Sequence, residues 1–208
     1  MALSRTDISD GLVDELHAFS QLVRSLSPAE LDAPSRCEGW TVGDVARHVI
    51  GSMADVTAGR LDGLGTPEVT AREVAERAGH TADQLADECA SVAKASAALL
   101  GIFDDAAWAG PAGGGYDGTL GEGVEALWYD TWLHGDDIRN AIGRPSELGN
   151  GLGCALSHVD IELKKLAWTD GVPTVDDPKA FAFVLAATGR IDAASFGPQA
   201  PTNLYAVT

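Results

Sequence analysis

Hydrophobic positions three and four residues apart recur along most of the chain, and this spacing is typical of amphipathic helices. The stripes predict four long helices, at about 8–26, 41–59, 69–100 and 119–142. Thr41 with Asp44, and Thr119 with Glu122, have the three-residue spacing of a capping box at the start of a helix. Four amphipathic helices of this length predict a four-helix bundle.

The pattern changes after Pro145. A fifth helix is predicted at about 148–168, and a shorter one follows, with Asp177 as its N-cap, Pro178 in its first turn and Gly189 as its end. We therefore predict a mainly all-α protein in two parts. Residues 1–145 form the four-helix bundle domain, and residues 146–208 form a small C-terminal extension that is helical or α+β.

Composition narrows the classes of partner. The 208 residues include 14 Lys and Arg against 31 Asp and Glu, a net charge of −17, which repels phosphate backbones and argues against nucleic acid. No apolar run approaches the roughly 20 residues of a membrane-spanning helix, so no membrane partner is expected. The N-terminal stretch lacks the pattern of a signal peptide, which predicts a cytoplasmic protein. We expect the protein to be a monomer or a homodimer. The three cysteines form no CxxC pair, and we interpret them as structural thiols.

The stretch "DTWLHGDDIRNAIGRP", residues 130–145, carries the candidate chemistry. Asp130, His134 and Asp137 fall on the inward stripe of the fourth helix, because steps of four and three return to one helical face. A buried charge costs several kcal/mol unless it is paired or bound to a metal. Carboxylate and imidazole are ligands for zinc and related divalent metals. A helical ion pair explains the same spacing, which also occurs in three other pairs: Asp44/His48, Glu76/His80 and His158/Glu162.

A metal site here needs a third ligand from another helix. His48 is the first candidate, because it lies beside Val45 and Val49 on the inward edge of the second helix. His17 is less favoured. His80 stands in a polar stretch that indicates a solvated side chain. His158 with Glu162 forms an alternative pair that also has access to a bundle interior.

Three segments together resemble a known family. "PSRCEGWTVGDVARHVIGS", "DTWLHGDDIRNAIGRP" and "DPKAFAFVLAATGR" resemble, in the same order, signatures of the mycothiol-dependent maleylpyruvate isomerase family, over about residues 8–190. The resemblance implies a DinB-like four-helix bundle with a smaller C-terminal portion. It also implies a divalent metal held by His48, Asp130 and His134.

The resemblance further implies a function. Family members use the metal to bind and deprotonate a low-molecular-weight thiol, so mycothiol is the expected co-substrate and a small electrophile its partner. Zinc is the first choice of metal, with nickel, iron or manganese as alternatives. The chain departs from the family in two ways: most members carry Glu at the position of Asp130, and the segment after Pro145 is short. A thiol S-transferase is therefore favoured over maleylpyruvate isomerisation.

Further roles stay open at the level of sequence. Asp137 is either a carboxylate that holds a metal-ligating imidazole or a helix-end charge. Arg190 is either a contact for an acidic substrate or thiol conjugate, and so a candidate catalytic residue, or an ordinary arginine after a helix-ending glycine. Trp40, Trp128 and Trp132 are assigned to packing, with Trp128 as a candidate wall of the pocket. The alternatives to an enzyme are a non-catalytic metal- or thiol-binding bundle, and a structural bundle whose polar stripe is satisfied by ion pairs.

Overall fold

The structure is a computed structural model that describes residues 3–205, apart from the side chains of Ser195 and Pro198. The regular structure of these residues is helical, with two isolated bridges and no strand, as the all-α prediction requires. The helices are α1 (Arg5–Arg24), α2 (Pro28–Leu31), α3 (Val42–Thr57), α4 (Pro67–Glu76), α5 (Ala82–Ile102), α6 (Asp105–Ala109), α7 (Leu120–Ala141), α8 (Gly151–Lys165) and α9 (Ala180–Ala187), followed by a 3₁₀ helix at Ala193–Gln199.

Four of these helices, α1, α3, α5 and α7, form the predicted four-helix bundle. Each packs against two neighbours, and the order around the bundle is α1, α5, α3, α7. The predicted capping boxes are present at Thr41 of α3 and Thr119 of α7. The interior is filled by large apolar side chains from all four helices: Leu12, Leu16 and Phe19; Val45, Val49 and Ile50; Leu85 and Val92; Trp132, Leu133 and Ile138. The bundle places α3 beside α7, the two helices that carry the candidate ligands.

The prediction of one long helix at 69–100 is wrong, because the chain turns between α4 and α5. Gly79 adopts φ +77°, a left-handed conformation that ends a helix, and Thr81 then caps α5 by accepting from the backbone N–H of Gln84. The apolar stripe keeps its register across this turn, so periodicity alone does not detect the break. As a result α4 is free to pack on α3.

The chain divides into two compact units, one from Ser4 to Glu147 and one that begins at Leu148. The second contains α8, α9 and the 3₁₀ helix, so its described part is helical and the α+β alternative does not hold there. The division into domains at 1–145 and 146–208 stays a prediction. None of the described helices combines the length and the apolar character needed to cross a bilayer.

Asp177 is not the N-cap that the sequence pattern predicts. Helix α9 begins at Ala180 with Lys179 as the N-cap residue, and the Asp177 carboxylate instead accepts from the backbone N–H of Lys179 at 2.7 Å. Asp177 therefore braces the turn before the helix. The predicted end of this helix is confirmed, since Gly189 follows it with φ +72°.

Candidate metal centre

The three predicted metal ligands lie together on two adjacent helices. His48 is on α3, and Asp130 and His134 are one turn apart on α7. The Asp130 carboxylate is 3.5 Å from His134 Nε2 and 4.0 Å from His48 Nε2. One ligand atom from each residue falls within 4.8 Å of the other two. The bundle thus brings together residues that are 82 positions apart in the chain, as only the tertiary fold can do.

The three side chains differ in their access to solvent. The imidazoles of His48 and His134 are 14% and 12% exposed, whereas the Asp130 side chain is 39% exposed. The imidazoles are therefore largely covered by protein, and the carboxylate is the ligand most accessible to solvent. A site built in this way is open to a small molecule on the side of Asp130.

A buried carboxylate contacts the Nδ1 atom of each imidazole. Glu73 Oε2 lies 3.0 Å from His48 Nδ1, and Asp137 Oδ2 lies 2.9 Å from His134 Nδ1. Glu73 is 1% exposed and Asp137 is fully buried. Because an ionised carboxylate only accepts, each Nδ1 carries a hydrogen, and Nε2 is the ring nitrogen that faces Asp130 in both residues. Both rings are thereby set to bind a cation through Nε2.

Asp137 also fixes the segment that precedes α3. Its carboxylate accepts from Arg36 Nε at 2.5 Å and from the Cys37 thiol at 3.3 Å, in addition to His134. The same guanidinium donates to Asp136 at 2.6 Å. The two sequence motifs, "PSRCEGW" and "DTWLHGDD", are therefore joined by direct side-chain contacts. Asp137 therefore contacts the His134 imidazole, and its part in metal binding stays a prediction.

A second group of donor atoms, from Cys37, His134 and Asp137, also lies within 4.8 Å. The Arg36 guanidinium already occupies the Asp137 carboxylate, and a positive charge at that position repels a cation. The thiol of Cys37 donates its hydrogen to the same carboxylate. Among the residues that the structure describes, no guanidinium contacts the group of His48, Asp130 and His134, which is therefore the better candidate.

The electrostatics of His48 show how strongly acidic this region is. Burial of the imidazole acts to lower its pKa, but the hydrogen bond to Glu73 and the charges of Asp130 and Glu73 outweigh burial, so the pKa is raised above its ordinary value. The protein surroundings therefore favour positive charge at the imidazole. The same carboxylates favour a bound cation, with which a proton on His48 competes.

The donor set fits a divalent metal ion. Two imidazole nitrogens and a carboxylate oxygen are zinc ligands, and bonds of about 2.0–2.1 Å at tetrahedral angles place ligand atoms about 3.3–3.5 Å apart. The contact between His134 and Asp130 is already at this separation, and the contact between His48 and Asp130 needs a shift of about half an ångström. Among the described residues Glu73 Oε1 is buried without a hydrogen-bond partner, so a carboxylate with unmet hydrogen-bonding capacity lies behind the His48 ring.

Two residues at the site were not predicted as functional. Glu73 lies on α4, outside the recognised motifs, and belongs to the stretch predicted as part of one long helix. Trp40 was assigned to packing, but its ring stands edge-on to that of His48 with centroids 5.2 Å apart. Trp128, the predicted wall, is buried against α1, where a Cβ on Gly11 would come within 2.3 Å of its ring. Only the three-dimensional proximity of Glu73 and Trp40 to His48 reveals them.

The remaining predicted residues belong to other elements of the chain. His17 is on the exposed side of α1. His158 and Arg190 belong to the C-terminal unit, where His158 is buried and Arg190 Nη1 donates to the Thr188 carbonyl at 3.1 Å. The roles predicted for Arg190, as a contact for an acidic substrate or as a catalytic residue, stay predictions.

The fold and the site define a class of protein. It is an all-α, DinB-like four-helix bundle in which histidine and carboxylate side chains cluster on neighbouring helices. The chain belongs to the family of the mycothiol maleylpyruvate isomerase N-terminal domain, whose model matches residues 12–139. Its fold is similar to the crystal structure of the mycothiol-dependent maleylpyruvate isomerase and to that of a mutant of the same enzyme. Both comparisons give a TM-score of 0.57 at 17% identity, over 86% of this chain and 78% of the other. No curated protein matches the chain.

Proposed function

We propose that this protein is a divalent-metal-dependent enzyme that activates a low-molecular-weight thiol, mycothiol, for attack on a small electrophile. The observation that carries the proposal is the convergence of His48, Asp130 and His134, with Asp130 accessible to solvent. Membership of the mycothiol maleylpyruvate isomerase N-terminal domain family supports the choice of thiol.

In this proposal His48, Asp130 and His134 hold the metal, with zinc as the first choice. A divalent cation in such a site lowers the pKa of a bound thiol, so that the nucleophilic thiolate prevails at neutral pH. Three protein ligands leave a position for an exogenous group, which is how a catalytic zinc site differs from a structural one.

The surrounding side chains then have defined tasks. Asp137 and Glu73 hold the two imidazoles so that each Nε2 faces Asp130. Trp40 packs against the His48 ring in a T-shaped contact. The exposed Asp130 leaves the approach open for the thiol and for the electrophile. The thiol and the electrophile would thus be held together at one place on the bundle surface. Holding two reactants in the right geometry raises the rate of their reaction.

Two reactions fit this site, and we favour S-transfer. In transfer, the thiol gives up its proton and its sulfur forms a bond to a carbon of the electrophile. Either a π bond of the electrophile takes up the displaced electron pair and then a proton, or a leaving group departs with that pair, and the adduct is the product. In isomerisation the same bond forms and later breaks, which regenerates the thiol. The isomerase resemblance supports the second reaction. The Asp at position 130 departs from the isomerase family pattern, in which most members carry Glu, and favours transfer.

The first experiment measures metal content by elemental analysis, on protein purified without a histidine tag. We expect about one equivalent in the parent and almost none in His134→Ala. The control is His17→Ala, which removes an exposed imidazole from α1 and should leave the metal in place. Equal metal content in the two variants, or no metal in the parent, contradicts the proposed site.

The second experiment follows the thiol. Metal-loaded protein is mixed with mycothiol and a panel of small electrophiles that includes maleylpyruvate, and loss of free thiol and formation of isomer are measured separately. Thiol consumption that disappears in His134→Ala supports transfer, whereas isomer formation without thiol loss supports isomerisation. Thiol binding without turnover of any electrophile would instead indicate a non-catalytic metal- and thiol-binding bundle.

A further inference from the structure

Within the described part of the chain, the side-chain hydrogen bond of Glu73 is the one with His48. Glu73 is 1% exposed on α4, and one carboxylate oxygen contacts His48 Nδ1 at 3.0 Å while the other, Oε1, has no hydrogen-bond partner. The neighbouring Arg77 does not neutralise this carboxylate. Its guanidinium donates to Glu88 and to the backbone carbonyl of Glu73. A buried carboxylate that is only half satisfied is costly, so its presence needs an explanation.

Attachment of α4 to the bundle does not supply that explanation. Asp55 of α3 is fully buried and pairs with Arg72 of α4, which ties the two helices together without Glu73. An apolar side chain of similar size in place of Glu73 would fill the same space without burying a charge, and such replacements are often neutral or stabilising. Helix packing therefore favours an apolar residue at this position.

The approach of α4 to α3 is adapted to this one side chain. Gly51 lies on α3 one turn after His48, and a Cβ added there would come within 2.6 Å of the Glu73 Cβ and 2.8 Å of Arg77 Nη1. The absence of a side chain at Gly51 thus allows Glu73 to come close enough to contact the His48 ring. The geometry parallels that of Asp137 and His134 on the other side of the site.

We infer that Glu73 is a positioning residue for the metal centre: it fixes the Nδ1–H tautomer of His48 and directs the Nε2 lone pair of that ring toward Asp130. This inference rests on the proposed function, in which His48 is a metal ligand. A carboxylate behind a metal-bound imidazole sets the ring orientation and raises its basicity, and its loss typically costs about 10–100-fold in metal affinity. The electron-rich ring would also help the site to keep its cation once a thiol is bound.

The test compares Glu73→Met, Glu73→Gln and the control Glu68→Met. Glu68 is an exposed acid on the same helix, so its replacement makes the same chemical change away from the site. Zinc affinity is measured by competition with a chromophoric chelator. We expect about a 10–100-fold loss for Glu73→Met and no loss for Glu68→Met. Glu73→Gln keeps an oxygen that accepts from Nδ1–H, so it should recover most of the affinity.

A second readout uses metal-free protein. The ¹⁵N shifts of the His48 ring, recorded at alkaline pH where the imidazole is neutral, report which nitrogen carries the hydrogen. We expect Nδ1–H in the parent and in Glu73→Gln, and a mixture of tautomers in Glu73→Met. An unchanged tautomer, or equal zinc affinity in Glu73→Met and Glu68→Met, overturns the inference. Absence of zinc binding in the parent overturns the proposed function instead, and the tautomer measurement still tests the part of Glu73.

Discussion

The two carboxylates behind the histidines are satisfied to different degrees, and this difference separates residues that hold the fold from residues that serve the site. Asp137 accepts from Arg36, Cys37 and His134, so its burial is explained by the hydrogen bonds it receives. Glu73 has His48 on one oxygen and no partner on the other. Replacement of Asp137 should therefore damage the fold and the site together, whereas replacement of Glu73 should damage mainly the site.

Glu15 provides a test of buried charge that is independent of the metal. Burial is the main reason that its pKa is raised to about 7 from 4.5, and the nearby positive charge of Arg139 offsets only part of this effect. An acid with a raised pKa binds its proton more tightly in the folded state. The Glu15 carboxyl group therefore contributes its full stabilisation below pH 4.5, and this contribution is lost as the pH rises to about 7.

We expect Glu15→Gln to have nearly the stability of the parent below pH 4.5 and to be more stable, by about 1–3 kcal/mol, above pH 7. Urea unfolding on both sides of this window gives the two differences. Glu68→Gln, at an exposed position, controls for the change in net charge. If the difference in stability between Glu15→Gln and the parent does not change with pH, the pKa of the Glu15 carboxyl group is not raised by folding.

At the scale of residues, the sequence predicts the site residues that lie inside recognisable motifs, but it does not predict those that lie outside them. His48, Asp130, His134 and Asp137 stand at helical spacings within two motifs, so their faces follow from periodicity. Glu73 is 25 residues from His48, and no spacing rule links residues on separate helices that cross. Its position depends on packing, which a single sequence does not encode locally.

At the scale of elements, the segment before α3 is attached to α7 by one guanidinium. Arg36 bridges Asp136 and Asp137, which are 4% and 0% exposed at their side chains. Because removal of one partner leaves buried carboxylates uncompensated, we expect Arg36→Met to cost about 3–5 kcal/mol of unfolding free energy. Hydrogen exchange of the segment should rise in parallel, since its main side-chain contact with α7 is lost.

The matched control is Arg24→Met, measured by the same urea unfolding. Arg24 also bridges two aspartates, Asp83 and Asp87, but all three side chains are largely exposed. An exposed ion pair contributes about 0–1 kcal/mol, so this variant should lose much less stability. Equal losses in the two variants would mean that the burial of Asp136 and Asp137 has no energetic role.

A second prediction at the scale of elements concerns the contact between α3 and α4. Gly51→Ala places a methyl group 2.6 Å from the Glu73 Cβ, which is close to the helix backbone and cannot simply rotate away. We expect a loss of about 1–3 kcal/mol together with weaker zinc binding, because α4 must shift and carry Glu73 with it. Gly101→Ala on α5 has nothing within 4 Å and should instead be neutral or stabilising by up to about 1 kcal/mol. Zinc affinity unchanged in Gly51→Ala would contradict the link between this contact and the site.

The elements themselves were largely predictable, and the exception has a clear physical cause. The stripes and capping boxes predicted the four bundle helices because both signals are local. The break at Gly79 also had local signals, a helix-ending glycine and a Thr81–Gln84 capping box, but an uninterrupted apolar stripe outweighed them. Without this break the sequence does not predict α4 as a separate helix, and α4 is the helix that brings Glu73 to His48.

At the scale of the whole molecule, the net charge of −17 affects how metal binding must be measured. A strongly negative protein attracts any divalent cation through its overall field, and added salt of any kind reduces self-repulsion. A rise in melting temperature with zinc alone therefore does not identify a specific site. The specific part is the difference between zinc and a cation with little preference for imidazole, such as magnesium.

We expect zinc at 100 times its dissociation constant to raise the unfolding free energy by about 2.7 kcal/mol, because it binds the folded state at an assembled site. For a chain of 208 residues this corresponds to a rise of roughly 5–10 °C in melting temperature. Magnesium at equal ionic strength should give a smaller rise, equal in the parent and in His134→Ala, because the general field does not depend on that imidazole. A chelator should reverse the zinc effect in the parent alone. If His134→Ala gains as much from zinc as the parent does, the cation acts through the overall charge, and the polar stripe of α7 is held by ion pairs rather than by a metal.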